Sequence, residues 1–143
     1  MYVFYNIQHF IMLSKLQLLE TILRDGNQVI ISELRLSYYS GPKQLEVKRL
    51  VEMGMLHMHD HPDNLFSFIE EYTDVFPCAG EGILILIHLC KTSDCTLVIE
   101  DDQEMVKDIA RFFNIPILST KEFYKQKIKN QQYLDFLIEQ YNG

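Results

Sequence analysis

Glu100-Asp101-Asp102 form a run of three carboxylates directly after the β-type stretch Thr96-Leu97-Val98-Ile99. Acids at such a point can act locally or together. In the first turn of a helix they complement its dipole and cap free N–H groups, each contributing about 0.3–1 kcal/mol. Gathered with acids from elsewhere at a sheet edge, they can hold Mg²⁺ or Mn²⁺, which prefer hard oxygen ligands and leave places for water and phosphate. The second use needs a fold that collects several strand ends on one edge.

The spacing of apolar residues supplies one. Residues 2–7 predict a strand, and HFIMLSKLQLLETILR predicts one helix running to Asp25-Gly26. Val29-Ile30-Ile31 reads as a second strand, with Ser32 before Glu33 as the cap of a helix. A helix over residues 43–53, stopped by Gly54, precedes a strand over 55–58. Helices over 65–76 and 81–90 follow, divided at Pro77-Cys78-Ala79-Gly80. A strand over 96–99, a helix over 103–113 and a strand over 115–118 complete the alternation. Ser119-Thr120 cap a helix from Lys121, and the last helix, 131–141, carries Tyr133, Phe136, Leu137 and Tyr141 on one stripe. Alternating strands and helices predict an α/β fold with a mainly parallel sheet of about five strands, covered on both faces. Ligands then gather beyond the carboxyl ends of the strands, just after Ile7, Ile31 and Ile99.

Composition bounds the partners. The 143 residues are 48% hydrophobic and 23% charged, which suits a single domain over 1–143 with an ordinary core. A formal charge of −7 repels bare phosphate backbones and argues against a general DNA-coating protein. Cys78, Cys90 and Cys95 form no C-x-x-C pair and are odd in number, which favours reduced thiols and a cytoplasmic setting. The apolar start MYVFYNIQHFIMLSK lacks the basic opening and cleavage site of a secretory signal. The longest apolar run, 83–89, falls far short of the ~20 residues a membrane span needs, so no membrane is expected.

The stretch GEGILILIHLCKTSDCTLVIEDDQEMVKDIARFFNIPILSTKEF resembles the C-terminal half of PIN-domain nucleases, especially small toxin-like members. The marks are Gly80-Glu81, the strand Leu97-Val98-Ile99, the pair Asp101-Asp102, and Asn114-Ile115-Pro116-Ile117-Leu118-Ser119-Thr120. NIQHFIMLSK is similar to the family's opening strand and helix, with Asn6 where the first catalytic Asp would stand. Val29-Ile30-Ile31-Ser32 and the segment 47–54 resemble the second strand and the helix and turn after it. The resemblance implies a three-layer α/β/α sandwich and a Mg²⁺- or Mn²⁺-dependent ribonuclease, the toxin of a toxin-antitoxin pair. Asn6, Glu81, Asp101 and Asp102 would be its catalytic and metal-binding residues, and Ser119, Thr120 and Lys121 would meet the RNA. It also implies an antitoxin or other protein partner and a homodimer; the aromatic stripe of the last helix and Tyr38-Tyr39 offer the contact surfaces, because aromatics concentrate binding energy.

Two positions depart from the pattern. Asn6 can coordinate through its amide oxygen but brings no negative charge and cannot act as a carboxylate base. Where the second acid belongs, the chain offers Ser37, Tyr38 and Tyr39, with Glu33 one turn earlier. The resemblance thus implies a weakened or inactive nuclease, either by nature or by an Asn introduced at position 6 to disarm it.

Other groups read more simply. His57 and His59 share one face of a strand beside Asp60 and His61, but zinc needs three or four converging ligands, and His9 and His88 look remote in sequence. A solvated strand end is expected there, and a hydrogen-bonded core histidine at His88. The segment LLETILRDGNQVIISELRLSYYSGPKQLEVKRLVEMGMLHM also resembles a winged helix-turn-helix with Lys43, Lys48 and Arg49 as its basic face, although Glu46 and Glu52 share that helix. A winged-helix DNA-binding regulator, or a non-catalytic PIN-like binding protein, is the alternative. Lys121, Lys125, Lys127 and Lys129 form either a solvated face or a phosphate-steering patch.

Overall fold

Alternation along the short strands sorts the interior into two cores. In the computed structural model, which describes residues 1–142, Phe4, Ile31 and Val98 face one buried cluster, while Val3, Ile30, Leu97 and Ile99 face another. Successive strand residues point to opposite faces, so a sheet apolar on both sides must be covered on both.

The chain runs β1 (Tyr2–Phe4), α1 (Ile7–Lys15), α2 (Leu19–Arg24), β2 (Ile30–Ser32), a 3-10 helix (Glu33–Tyr38), α3 (Gly41–Glu52) and β3 (His57–His59). It continues through α4 (Leu65–Thr73), α5 (Gly80–Ser93), β4 (Thr96–Ile99), α6 (Glu104–Phe112), β5 (Ile117–Ser119), α7 (Thr120–Lys127) and α8 (Gln131–Asn142). Every ladder is parallel: β1 pairs β4 with Phe4 opposite Val98, β4 pairs β5 with Ile99 opposite Ser119, and β2 pairs β3 with Ser32 opposite His59. A single parallel bridge from Tyr2 to Val29, with Tyr2 N–H donating to Gln28 O at 2.8 Å, joins the three-stranded and two-stranded parts. The spatial order is therefore β3-β2-β1-β4-β5, and the winding reverses between β1 and β4. Such a reversal leaves a crevice beyond the carboxyl ends of the two strands.

Helices divide between the faces. Phe10 of α1, Ile22 of α2, Val47 and Leu50 of α3, Phe123 of α7 and Leu137 of α8 bury against the first cluster. Phe68 of α4, Leu84 and Ile87 of α5, and Val106 and Ile109 of α6 bury against the second. Phe123 locks the sheet to α7 by edge-on contacts with Tyr2 and Phe4 at 5.2 and 5.0 Å between ring centroids, the geometry that aromatic quadrupoles favour.

The structure departs from the sequence expectations at element ends. The first strand stops at Phe4, because Asn6 already caps α1. The single predicted helix after it is two: Gln17 takes φ 60°, Gln17 N–H donates to Ser14 O and Leu18 N–H to Leu13 O, so α1 closes in a Schellman turn. Ser32 precedes a 3-10 helix and makes no cap contact there. The strand predicted over 55–58 lies at His57–His59, since Gly54 ends α3 by the same kind of turn and Met55 and Leu56 both donate back to Leu50 O. That strand pairs in parallel with β2, so it is not the arm of an antiparallel wing. In α8, Leu137 is buried while Tyr133 and Phe136 are about 40% exposed (42% and 43%), so the aromatic stripe does not pack as one face. Among the described residues, no helix is long and apolar enough to cross a membrane.

Candidate functional site at the carboxyl ends of the strands

Parallel register brings the ends of β1 and β4 side by side, with Tyr5 N–H donating to Val98 O at 2.8 Å. The chain beyond each end starts toward a helix, and that places Asn6 next to Glu100. Asn6 is exposed, and its Oδ1 accepts the Gln8 N–H at 3.0 Å as the N-cap of α1. A short polar side chain in extended geometry is what a helix start selects, so local capping accounts for the asparagine.

Glu100 is the acid that points inward. Its side chain is 13% exposed and its Oε1 lies 2.8 Å from His9 Nε2, on the first turn of α1. The other oxygen, Oε2, is buried with no hydrogen-bond partner. Burial pulls the pKa of this carboxyl upward, but the His9 hydrogen bond, a backbone hydrogen bond, the His9 charge and a hydrogen bond from the Asn6 side chain outweigh it and hold the group below the ordinary carboxylate range.

Asp101 and Asp102, the expected ligands, are exposed. The Asp101 backbone N–H donates to the Tyr141 hydroxyl at 3.2 Å, and Lys107 Nζ donates to Asp101 O at 3.2 Å. Tyr141 thereby covers the strand ends: its ring lies 5.3 Å from that of His9, and Lys121 Nζ stands 5.2 Å above its centroid. Cation–π attraction of this kind ties Lys121 to α8. Ser119 Oγ caps α7 by accepting the Glu122 N–H at 3.1 Å, and Thr120 is 1% exposed, so the Thr120 hydroxyl is not presented outward.

Glu81 is exposed in the first turn of α5, where acids favour the helix dipole. Glu33 is exposed and lines a different cleft, beside His59, Asp60 and His61. Lys125 pairs with Glu122 at 3.6 Å, and Lys127 bonds Asn27 Oδ1 and overlies Tyr2, so part of the lysine run has structural partners. Among the described residues, no group of three or more His, Cys, Asp and Glu side chains converges as a metal ion requires. Asn6, Glu81, Asp101 and Asp102 are all exposed, and of the acids named here Glu100 is the one whose carboxylate is largely buried.

A second polar cluster was not expected. Ser32 Oγ lies 2.6 Å from His61 Nε2, His61 Nδ1 lies 2.8 Å from His88 Nδ1, and His88 Nε2 lies 3.0 Å from Asn64 Oδ1. His88 is the hydrogen-bonded core residue its apolar helix suggested, but it is not remote from the other histidines: the fold sets α5 against the turn after β3. Of the Tyr38-Tyr39 pair only Tyr38 is exposed, and burial raises the Tyr39 hydroxyl pKa.

Compared with known proteins, the chain matches no family model, no curated protein and no solved structure.

Proposed function

We propose that this chain is a PIN-like domain, a three-layer α/β/α sandwich, whose ribonuclease site is weakened or inactive. The observation that carries the reading is the His9–Glu100 contact in the crevice between β1 and β4. An imidazole there takes the carboxylate oxygen that a cation would otherwise claim, and Asn6 beside it supplies no charge to compensate. Strand order, the inward Glu100 and the Asp101-Asp102 pair support descent from a cation-using site. The degenerate ligand set supports its decline.

The test is RNA cleavage with Mn²⁺, together with calorimetric Mn²⁺ binding, on the given chain, on Asn6→Asp and on Asn6→Asp/His9→Ala. Little or no cleavage is expected of the given chain. The double variant, with a second carboxylate and without the competing imidazole, should bind Mn²⁺ at least about tenfold more tightly, a change of about 1.4 kcal/mol. Efficient cleavage by the given chain, or no Mn²⁺ binding by the double variant, would refute the reading.

A non-catalytic role with a protein partner is favoured by one other feature. Val75, Phe76, Met105 and Phe112 line an apolar cleft of about 550 Å³ between the segment 75–79 and α6, with Phe112 58% exposed. Aromatic and Met side chains concentrate binding energy at interfaces.

A further inference from the structure

The chain Ser32–His61–His88–Asn64 links four separate parts of the fold: the end of β2, the turn after β3, α5, and the start of α4. Its proton order follows from one end. Asn64 Oδ1 can only accept, so His88 Nε2 carries the hydrogen and His88 Nδ1, in the neutral ring, must accept. His61 Nδ1 therefore donates across the 2.8 Å contact, His61 Nε2 is bare, and the Ser32 hydroxyl donates to it. Each imidazole thus has one partner at each ring nitrogen.

That order resembles a serine nucleophile with its base, but Ser32 is 1% exposed and its hydroxyl is not presented to a substrate. What the geometry does offer is a junction that tolerates no extra proton. A proton on His88 Nδ1 would set two N–H donors against each other at 2.8 Å. A proton on His61 Nε2 would make that nitrogen a donor, so the buried Ser32 hydroxyl would lose the acceptor it now has, and an unmade buried hydrogen bond is costly.

We propose that this junction is an acid-released clasp: with both imidazoles neutral it holds the turn over residues 60–64 against α5, and protonation frees that turn and opens the cleft of about 450 Å³ it borders. The cleft is lined by Glu33 and Leu34 of the 3-10 helix, His59 of β3, and Asp60, His61 and Asp63 of the turn. The charged surroundings are mixed. Asp60 favours a proton on His61, whereas His61 and Lys91 disfavour one on His88, and the Phe68 ring of α4 lies 5.0 Å from His88. Burial is the larger influence on both rings and disfavours the charged form.

The test uses the intact chain. Long-range ¹⁵N–¹H spectra of the histidine rings at about pH 7.5 should show both rings neutral, and backbone hydrogen exchange read from about pH 7.5 to 5 should then follow the turn. Exchange over residues 60–65, corrected for the intrinsic pH dependence, should accelerate at least about tenfold at the acid end while β4 stays protected. In His61→Gln, which leaves His88 as the one titrating ring of the clasp, that acceleration should be clearly reduced. An imidazolium at either position near neutral pH would overturn the clasp. So would unchanged relative exchange of 60–65 on acidification, or an undiminished pH response in His61→Gln. The ring spectra and exchange of the unaltered chain decide the matter even if the variant does not fold.

Discussion

His9 Nε2 stands 2.8 Å from Glu100 Oε1, and this contact joins the first turn of α1 to the end of β4 where the winding of the sheet reverses. Two side chains 91 positions apart in the sequence, one imidazole and one carboxylate, meet there.

Glu100→Gln should lower stability near pH 7 by about 1 kcal/mol, the scale of a hydrogen bond to a charged group less the desolvation that the neutral amide avoids. The folded pKa of Glu100 is depressed, so its contribution is present above the unfolded value of about 4.3 and is lost as pH falls through the folded value. Urea unfolding at neutral pH and near pH 3 should therefore show the variant and the parent converging in acid.

His88 acts in a different window. Burial, with His61 and Lys91 adding to it, lowers its pKa from 6.5 to about 4. The unfolded chain then binds more protons between those values, so stability is full above about pH 6.5 and declines as pH falls toward 4, by at most about 3 kcal/mol. The urea midpoint should drop across that range, and His88→Leu should flatten the slope.

Cys78 is exposed, whereas Cys90 and Cys95 are buried and burial pushes both thiols up. Thiolate is the reactive form, so an alkylating reagent should modify one thiol per folded chain and three after denaturation. Mass spectrometry of the peptides would show whether Cys78 alone carries the early label.

Gln17→Gly should stabilise the chain by about 0.5–1 kcal/mol, because φ 60° disfavours a side chain while glycine adopts it freely, offset in part by the greater freedom of glycine when unfolded. Thermal unfolding would report it as a rise in Tm. A fall would mean that Gln17 makes a contact worth more than the strain.

Sequence reasoning reached the strand β4 and the helices on either side of it because their signals are local. A buried β-type run, the Gly80 start and the amphipathic 104–112 segment each stand in one window of chain. Gly54 marked the end of α3 for the same reason. The end of α1 was hidden because Gln17 fills a left-handed position that usually selects glycine. At the site, the acidic run was legible but the inward member was not: after Ile99, one residue of strand alternation turns Glu100 into the crevice and leaves Asp101 exposed. Ser32, His61, Asn64 and His88 carry no shared spacing, and only the parallel pairing of β2 with β3 and the packing of α5 bring them together.

The placement of β1 has a consequence for the nascent chain. Tyr2–Phe4 emerges first, yet its ladder partner begins at Thr96. At the ~5–20 residues per second of translation, roughly several seconds pass with only the β2-facing side of this aromatic segment able to pair and its other backbone edge open. Pairings so distant in sequence also make the loop-closing search slow when the whole chain refolds from denaturant. The β1–β4 junction in the middle of the sheet thus waits on the C-terminal half of the chain, and the early-made β1 segment is where a holding chaperone, or a solubilising fusion, has the most to protect.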